Sequence, residues 1–463
     1  MSFLLIIFTA FILVIFFHLD FFFHIAISLI LTSFVFFFIF YKFKKNFFGF
    51  LISYVIFICF LLFIHLFPLI LNPGLINEPF ILGIGPGKTV LYDKKILELT
   101  SMICLSCALG IGLSISIFSK LNRSSYINVY QTSDIQNINI NTLPIFFWFN
   151  FYIISIALFY GVTPPGGSIF NVRYAERLGG VFDFTDSAFL ISHILIIITV
   201  VDSFLDQNYK RKVTKIFFCL FFLILFFYYT ASGSREAYPL FFGLIVIYFL
   251  INFKKKFPTK KIIFALLILF FVGQILSYIR SDVTGKNFEE TLQLIKDYLR
   301  LDFLLLGTWS SALATVLSVA HDYVDNIFKF KLGKDYYDLF LSIPPGFIAD
   351  MIGYVRPINM YAGPAYEMRY GSGGTHITVI PYRNFGIFGV FIISSIWFYI
   401  VLILERFSFH KISVLRSSII VIMISIFPMF LWYGEKMAIN AVIIYFILSI
   451  PYRICLASKK KTN

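Results

Sequence analysis

Residues 385–404 read FGIFGVFIISSIWFYIVLIL, twenty residues without one charged side chain. At about 1.5 Å rise per residue, a helix of this length matches the roughly 30 Å hydrocarbon core of a bilayer, whereas a helix on a soluble domain keeps a polar face. The charges stand at its flanks, with Arg383 before it and Glu405 and Arg406 after it. Working outward, eleven more segments share this character: 2–17, 21–41, 47–71, 97–118, 143–161, 184–204, 216–231, 237–252, 262–279, 417–431 and 437–455. The first ends at His18-Leu19-Asp20 with no small-residue cleavage pattern behind its apolar run, so it reads as a retained anchor. Across 463 residues, 59% are hydrophobic and only 13% charged, against about 25% charged in soluble domains. Composition therefore excludes a soluble globular domain and a disordered chain. The expected fold is an all-α polytopic membrane protein of about twelve transmembrane helices, a single integral membrane domain over residues 1–463.

Loop charges orient the spans. With the N-terminus in the cytoplasm, the cytoplasmic segments hold 21 Lys and Arg and the opposite face holds 17, most of these in one long loop. An even helix count then puts both termini in the cytoplasm. Two outer loops stand out, 162–183 and the far longer 280–384. Inside the latter, Leu301 to Ala320 is apolar enough to touch lipid. A thirteenth span there would put the Lys459–Lys461 tail outside, so the stretch reads as an interfacial or re-entrant helix. The net charge of +14 is spread in short clusters between apolar segments, which argues against a nucleic-acid partner. Cys104 and Cys107 form a CxxC inside an apolar span, with no second pair, and read as core residues. His and carboxylate spacings give no metal site, and no cofactor motif is present.

The two faces differ in the kind of basic residue they use. Five of the 21 cytoplasmic basic residues are Arg, against eight of the 17 outer ones. Orientation needs only a positive charge, whereas a planar donor fork that grips phosphate or carboxylate needs Arg. Either these Arg bind an anionic ligand or they pair with outer carboxylates such as Glu176, Glu236, Asp282 and Glu367. Arg235 lies in the tight turn Ala231-Ser232-Gly233-Ser234-Arg235-Glu236, where a charge at the membrane boundary is costly without a partner. Arg173 and Arg177 are four apart and share a helix face after the Pro164-Pro165-Gly166-Gly167 loop. In the long loop, Glu367-Met368-Arg369-Tyr370 precedes Gly371-Ser372-Gly373-Gly374-Thr375-His376, and Pro381-Tyr382-Arg383-Asn384 leads into 385–404. Glycines let backbone approach a ligand closely, although such a stretch also serves as a flexible lead-in to a helix. His376 is the one residue of that stretch able to exchange a proton near neutral pH, and an ordinary hydrogen-bonded histidine is the competing reading. Arg369 and Arg383 beside it should depress its pKa by like-charge repulsion.

This pattern resembles the O-antigen polymerase (Wzy) family of oligosaccharide repeat-unit polymerases. The likeness extends loosely over the chain and is tightest at Gly233-Ser234-Arg235-Glu236 and from Gly373-Gly374-Thr375-His376 through Tyr382-Arg383-Asn384-Phe385-Gly386-Ile387-Phe388-Gly389. Some members carry a carboxylate just before the Pro-Tyr pair, where this chain has Ile380. The resemblance implies a fold similar to the metal-independent membrane glycosyltransferases, with short helices in the long periplasmic loop. It implies action at the periplasmic face of a bacterial inner membrane on oligosaccharide repeats linked to undecaprenyl diphosphate, as donor and acceptor. Partners implied are the bilayer, a chain-length regulator and a flippase of the same pathway. On this reading His376, Arg235, Arg280, Glu367 and Glu435 are the catalytic candidates. His376 would be base or orienting group for the acceptor hydroxyl, the two Glu reserve bases, and the Arg stabilisers of the diphosphate leaving group. Arg173, Arg177, Arg369, Arg383, Tyr382 and Thr375 would bind diphosphate or sugar. An O-antigen ligase shares this topology and donor, and a lipid-linked oligosaccharide flippase is the alternative from the transporter class.

Overall fold

A computed structural model describes residues 94–121, 309–327, 329–342 and 376–410, with isolated positions at 289, 290, 293, 296, 351, 353, 418, 419, 422, 423, 439, 441–443, 445–447, 449 and 450. Four helices are delimited: α1 (Lys94–Leu121), α2 (Trp309–Val324), α3 (Lys334–Ser342) and α4 (Val379–His410). Among the described residues there is no strand. Two stretches, Glu98–Phe118 of α1 and Val379–Leu404 of α4, are long and apolar enough to cross a membrane, and they correspond to the expected spans 97–118 and 385–404. The isolated positions within 417–431 and 437–455 are helical; the eight other expected spans lie outside the described residues.

The chain divides into two compact units. One comprises Met1–Ile127, Leu299–Glu405 and Pro428–Ala438, and the other Asn128–Tyr298, Arg406–Phe427 and Ile439–Asn463. In the second unit, helical turns are held locally, as where Ser449 Oγ donates to the Phe446 carbonyl at 2.7 Å. The first unit contains α1, α2, α3 and most of α4.

α1 is central and α4 peripheral: 72% of the apolar window of α1 is buried, against 33% for α4. A helix apolar all round belongs inside a larger bundle, and α1 is lined with small residues that let neighbours come close. Ser106, Gly110 and Ser114 recur every fourth residue, the spacing that brings helix backbones together in an apolar medium. A Cβ on Gly110 would fall against the carbonyl oxygen of Phe391 on α4, with Ser394 Cβ at 3.1 Å. Ser106 Oγ donates to the Ile387 carbonyl at 2.7 Å, and Ser394 Oγ to Cys107 Sγ at 3.3 Å. Cys104 and Cys107 are free and buried, core residues as expected. Thr100 Oγ1 and Ser114 Oγ donate back to the Ile96 and Ile111 carbonyls, so these hydroxyls are satisfied within α1.

Of the stretch Leu301–Ala320, expected to form an interfacial or re-entrant helix, the backbone is described from Trp309 onward. Its described C-terminal part belongs to α2, which packs on α1, and Thr315 through Ala320 are all buried, five of them at 0% exposure. Protein, not lipid, covers Thr315 to Ala320. Composition could not separate the two, because a helix buried on every side has the same apolar content as one facing acyl chains. α2 ends in a left-handed residue, Asn326 (φ 56°). The Ile327 and Asn326 amides donate to the Asp322 and Tyr323 carbonyls, at 2.8 and 3.1 Å, closing a Schellman cap.

Candidate functional site at the break in α4

α4 is interrupted at Gly386, whose φ of 66° and ψ of −159° are non-helical. That region of backbone space is essentially restricted to glycine. A Cβ there would also stand 3.3 Å from the Phe330 ring. A break in a helix leaves backbone carbonyls without their intrahelical donors, and these must be met from elsewhere. The Arg383 and Asn384 carbonyls accept instead from the Lys331 and Leu332 amides, at 3.0 and 3.2 Å.

This docking positions α3. Lys331 to Lys334 form a tight turn, the Lys334 amide donating to the Lys331 carbonyl at 3.0 Å, with φ positive at both Leu332 (48°) and Gly333 (93°). Gly333 then precedes α3 as a cap without a side chain. Asn384, fully buried, supplies the missing oxygen: its Oδ1 accepts from the Gly333 and Asp335 amides at 3.0 and 3.3 Å. Its Nδ2 donates to Asp335 Oδ2 at 3.1 Å and to the Ile380 carbonyl at 2.8 Å. All four hydrogen-bonding positions of one amide are used.

Asp335 is the hub of the charges. Its buried carboxylate, in the first turn of α3, where the helix dipole favours an anion, meets Lys331 Nζ at 3.0 Å and Arg383 Nε at 3.6 Å. Arg383, expected to grip a substrate, is thus buried against a carboxylate of its own chain. Tyr382 is buried too, its ring edge-on to both Tyr323 and Phe330 at 5.9 and 6.1 Å. Phe385, by contrast, is exposed and stacks on Tyr336 of α3. Asp335 and Asn384 escaped the sequence reading, although the i,i+4 pair Lys331 and Asp335 offered a signal.

His376 stands just before α4. Its amide donates to Thr315 Oγ1 of α2 at 3.0 Å. Its Nδ1 accepts from the Thr378 amide at 3.2 Å and lies 2.8 Å from Thr378 Oγ1. Because Nδ1 is already accepting from an N–H, the hydrogen-bond pattern assigns the proton of the neutral ring to Nε2. Burial pushes the ring's pKa down to about 3. The ring is therefore neutral as expected, but desolvation is the cause and not repulsion from Arg383, whose charge faces Asp335. A buried ring with Nδ1 engaged and so low a pKa is a poor base. No family model, curated protein or solved structure matches this chain. Arg173, Arg177, Arg235, Arg280, Glu367, Arg369, Thr375 and Glu435 lie outside the described residues.

Proposed function

We propose that the chain is an O-antigen polymerase of the bacterial inner membrane. It would join undecaprenyl-diphosphate-linked oligosaccharide repeats at the periplasmic face, with loss of undecaprenyl diphosphate. The observation that carries the reading is the neutral imidazole of His376 at the start of an apolar helix, held at Nδ1 by Thr378. Such a group suits orientation of an acceptor sugar hydroxyl at a membrane boundary, where an unfixed polar group would be costly. The concentration of Arg on the outer loops supports the other half of the reaction. Arg173, Arg177, Arg235 and Arg280 offer donor forks for the charge that develops on a diphosphate leaving group. Glu367 and Glu435 are the candidate bases for the acceptor, since the His376 ring is poorly suited to accept a proton. The membrane reading itself rests on composition together with the two apolar helices. Both a chain-length regulator and a flippase of the same pathway are expected partners.

Deletion of the gene followed by gel analysis of lipopolysaccharide tests the proposal. A single repeat on the lipid A core is the expected product. Core without any repeat would refute the polymerase and point to a ligase or a flippase.

A further inference from the structure

The surface around α3 holds a group of large apolar side chains in the open. Leu332 is 81% exposed, Tyr337 65% and Phe340 64%. Lys334, Tyr337 and Phe340 fall at i, i+3 and i+6, so they share the face of α3 opposite buried Asp335 and Leu339. Leu332 occupies a left-handed backbone conformation that a bulky residue seldom adopts. The turn is fastened to the break in α4 by the Leu332 amide, so this strained leucine is held outward by design of the fold and not by slack in a loop.

What covers this surface follows from its continuation on α4. Phe385, on which Tyr336 of α3 stacks, stands just before the break, and a row of exposed apolar residues follows it on α4: Phe388, Ile392, Ile396, Ile400 and Ile403, spaced three or four apart along one helix face. That row lies on a stretch long and apolar enough to cross a bilayer, and it is the face such a helix turns to acyl chains. α3 sits at its N-terminal end, where the hydrocarbon gives way to headgroups. Tyr and Phe with an adjoining Lys are the residues found at that depth, and Lys329 and Lys334, both exposed, can reach lipid phosphates.

We propose that residues 329–340 form a membrane-interface foot, in which Leu332, Tyr337 and Phe340 enter the headgroup and upper acyl region of the leaflet beside the N-terminal end of α4. The foot holds the break in α4, and with it the His376 to Asn384 segment, at a fixed depth. It requires that α4 meets lipid and does not depend on the polymerase reading.

The test uses the unmodified full chain. It is reconstituted in vesicles of phosphatidylethanolamine and phosphatidylglycerol doped with a phospholipid bearing a diazirine near the glycerol end of one acyl chain. After photolysis, digestion and mass spectrometry locate the carbene adducts. Leu332, Tyr337 and Phe340 should carry at least tenfold more adduct than Asp325 and Asn326, and Phe388 should be labelled alongside them. With the diazirine moved to the acyl terminus, label should leave α3 and appear at Ile396 and Ile400. Labelling of Phe388 while Leu332, Tyr337 and Phe340 stay at the level of Asp325 would overturn the proposal, whether water or another protein covers them. Absence of label from α4 in both vesicle sets would overturn it as well, because the lipid-facing row on which it rests would be gone.

Discussion

Replacing Asn384 with Ala should release α3 from α4. The side chain is fully buried and makes four hydrogen bonds, two from backbone amides near the start of α3, one to Asp335 and one to the Ile380 carbonyl. Truncation leaves the Gly333 amide, the Asp335 amide and one oxygen of Asp335 without that partner. Leaving a buried polar group unsatisfied costs about 1–3 kcal/mol. Gly333 is half-buried, so water can recover part of the loss there, and a total of about 3 kcal/mol is a reasonable working value. At about 1.4 kcal/mol per factor of ten, local opening should become roughly a hundredfold more frequent. Hydrogen exchange with mass spectrometry on the detergent-solubilised full chain reads this directly. The amides of Lys331, Leu332, Gly333 and Asp335 should exchange about a hundred times faster in Asn384→Ala, while those of α1 keep their protection. Asn384→Asp should do no better despite its matching shape, because it sets a second carboxylate against Asp335 Oδ2 in place of a donor. Unchanged protection of the 331–335 amides in Asn384→Ala would falsify the assignment of this side chain as the clasp.

Three further outcomes follow from the same geometry. His376 has a pKa lowered from 6.5 to about 3 by burial. The unfolded chain therefore binds more protons between those values, and this residue's contribution to stability is complete above about pH 6.5 and lost progressively as pH falls toward 3. His376→Asn keeps an acceptor for the Thr378 amide but cannot protonate, so the variant's melting temperature should fall less steeply than wild type from pH 6.5 to 4; parallel curves would refute the cause. Gly110→Ala should lower the melting temperature through overpacking of about 1–3 kcal/mol, since its methyl would meet the Phe391 carbonyl; an unchanged melting temperature would deny the close approach of α1 and α4. Finally, Arg235→Lys and Arg280→Lys should each lose most polymer with protein level unchanged, because a point charge does not replace a fork on diphosphate, while Arg416→Lys stays silent; a full-length ladder from Arg235→Lys would reduce that residue to a structural role.

The two apolar helices were readable because hydropathy sums over some twenty residues, and no single error moves the result. The start of α4 shows the limit. The apolar run begins at Phe385 beside the break at Gly386, but helix reaches back to Val379. Pro381 is tolerated there because the first turn needs no amide from it. The turn is secured by Asn384 and its contacts some fifty residues away, which no local pattern discloses. Arg383 illustrates the same point for the site. Its position beside a Gly-rich loop suggested a ligand, but its carboxylate partner, Asp335, lies far off in sequence. For His376, chemistry was legible from residue type, whereas the engaged nitrogen and the burial that depresses its pKa depend on Thr315 and Thr378 being brought to it.

An uninterrupted α4 would keep the Arg383 and Asn384 carbonyls within the helix and offer nothing to hold residues 331 and 332. Because Gly386 releases those carbonyls, the chain brings Asp335 beside Arg383 and commits that guanidinium before any ligand arrives. Breaking a buried pair by removing one partner is far costlier than leaving it intact, so Arg383 is a poor choice to swing toward a diphosphate. The gripping role in the polymerase reading then falls to Arg173, Arg177, Arg235, Arg280 and Arg369, and the Arg383 to Asp335 pair becomes a positioning element for His376, seven residues upstream. The two roles separate experimentally. Arg383→Gln should loosen the 331–335 amides and lower turnover at every donor concentration, whereas loss of a diphosphate-gripping Arg should raise the donor concentration needed for half-maximal rate. A pure rise in that concentration for Arg383→Gln, with the amides still protected, would return Arg383 to the substrate.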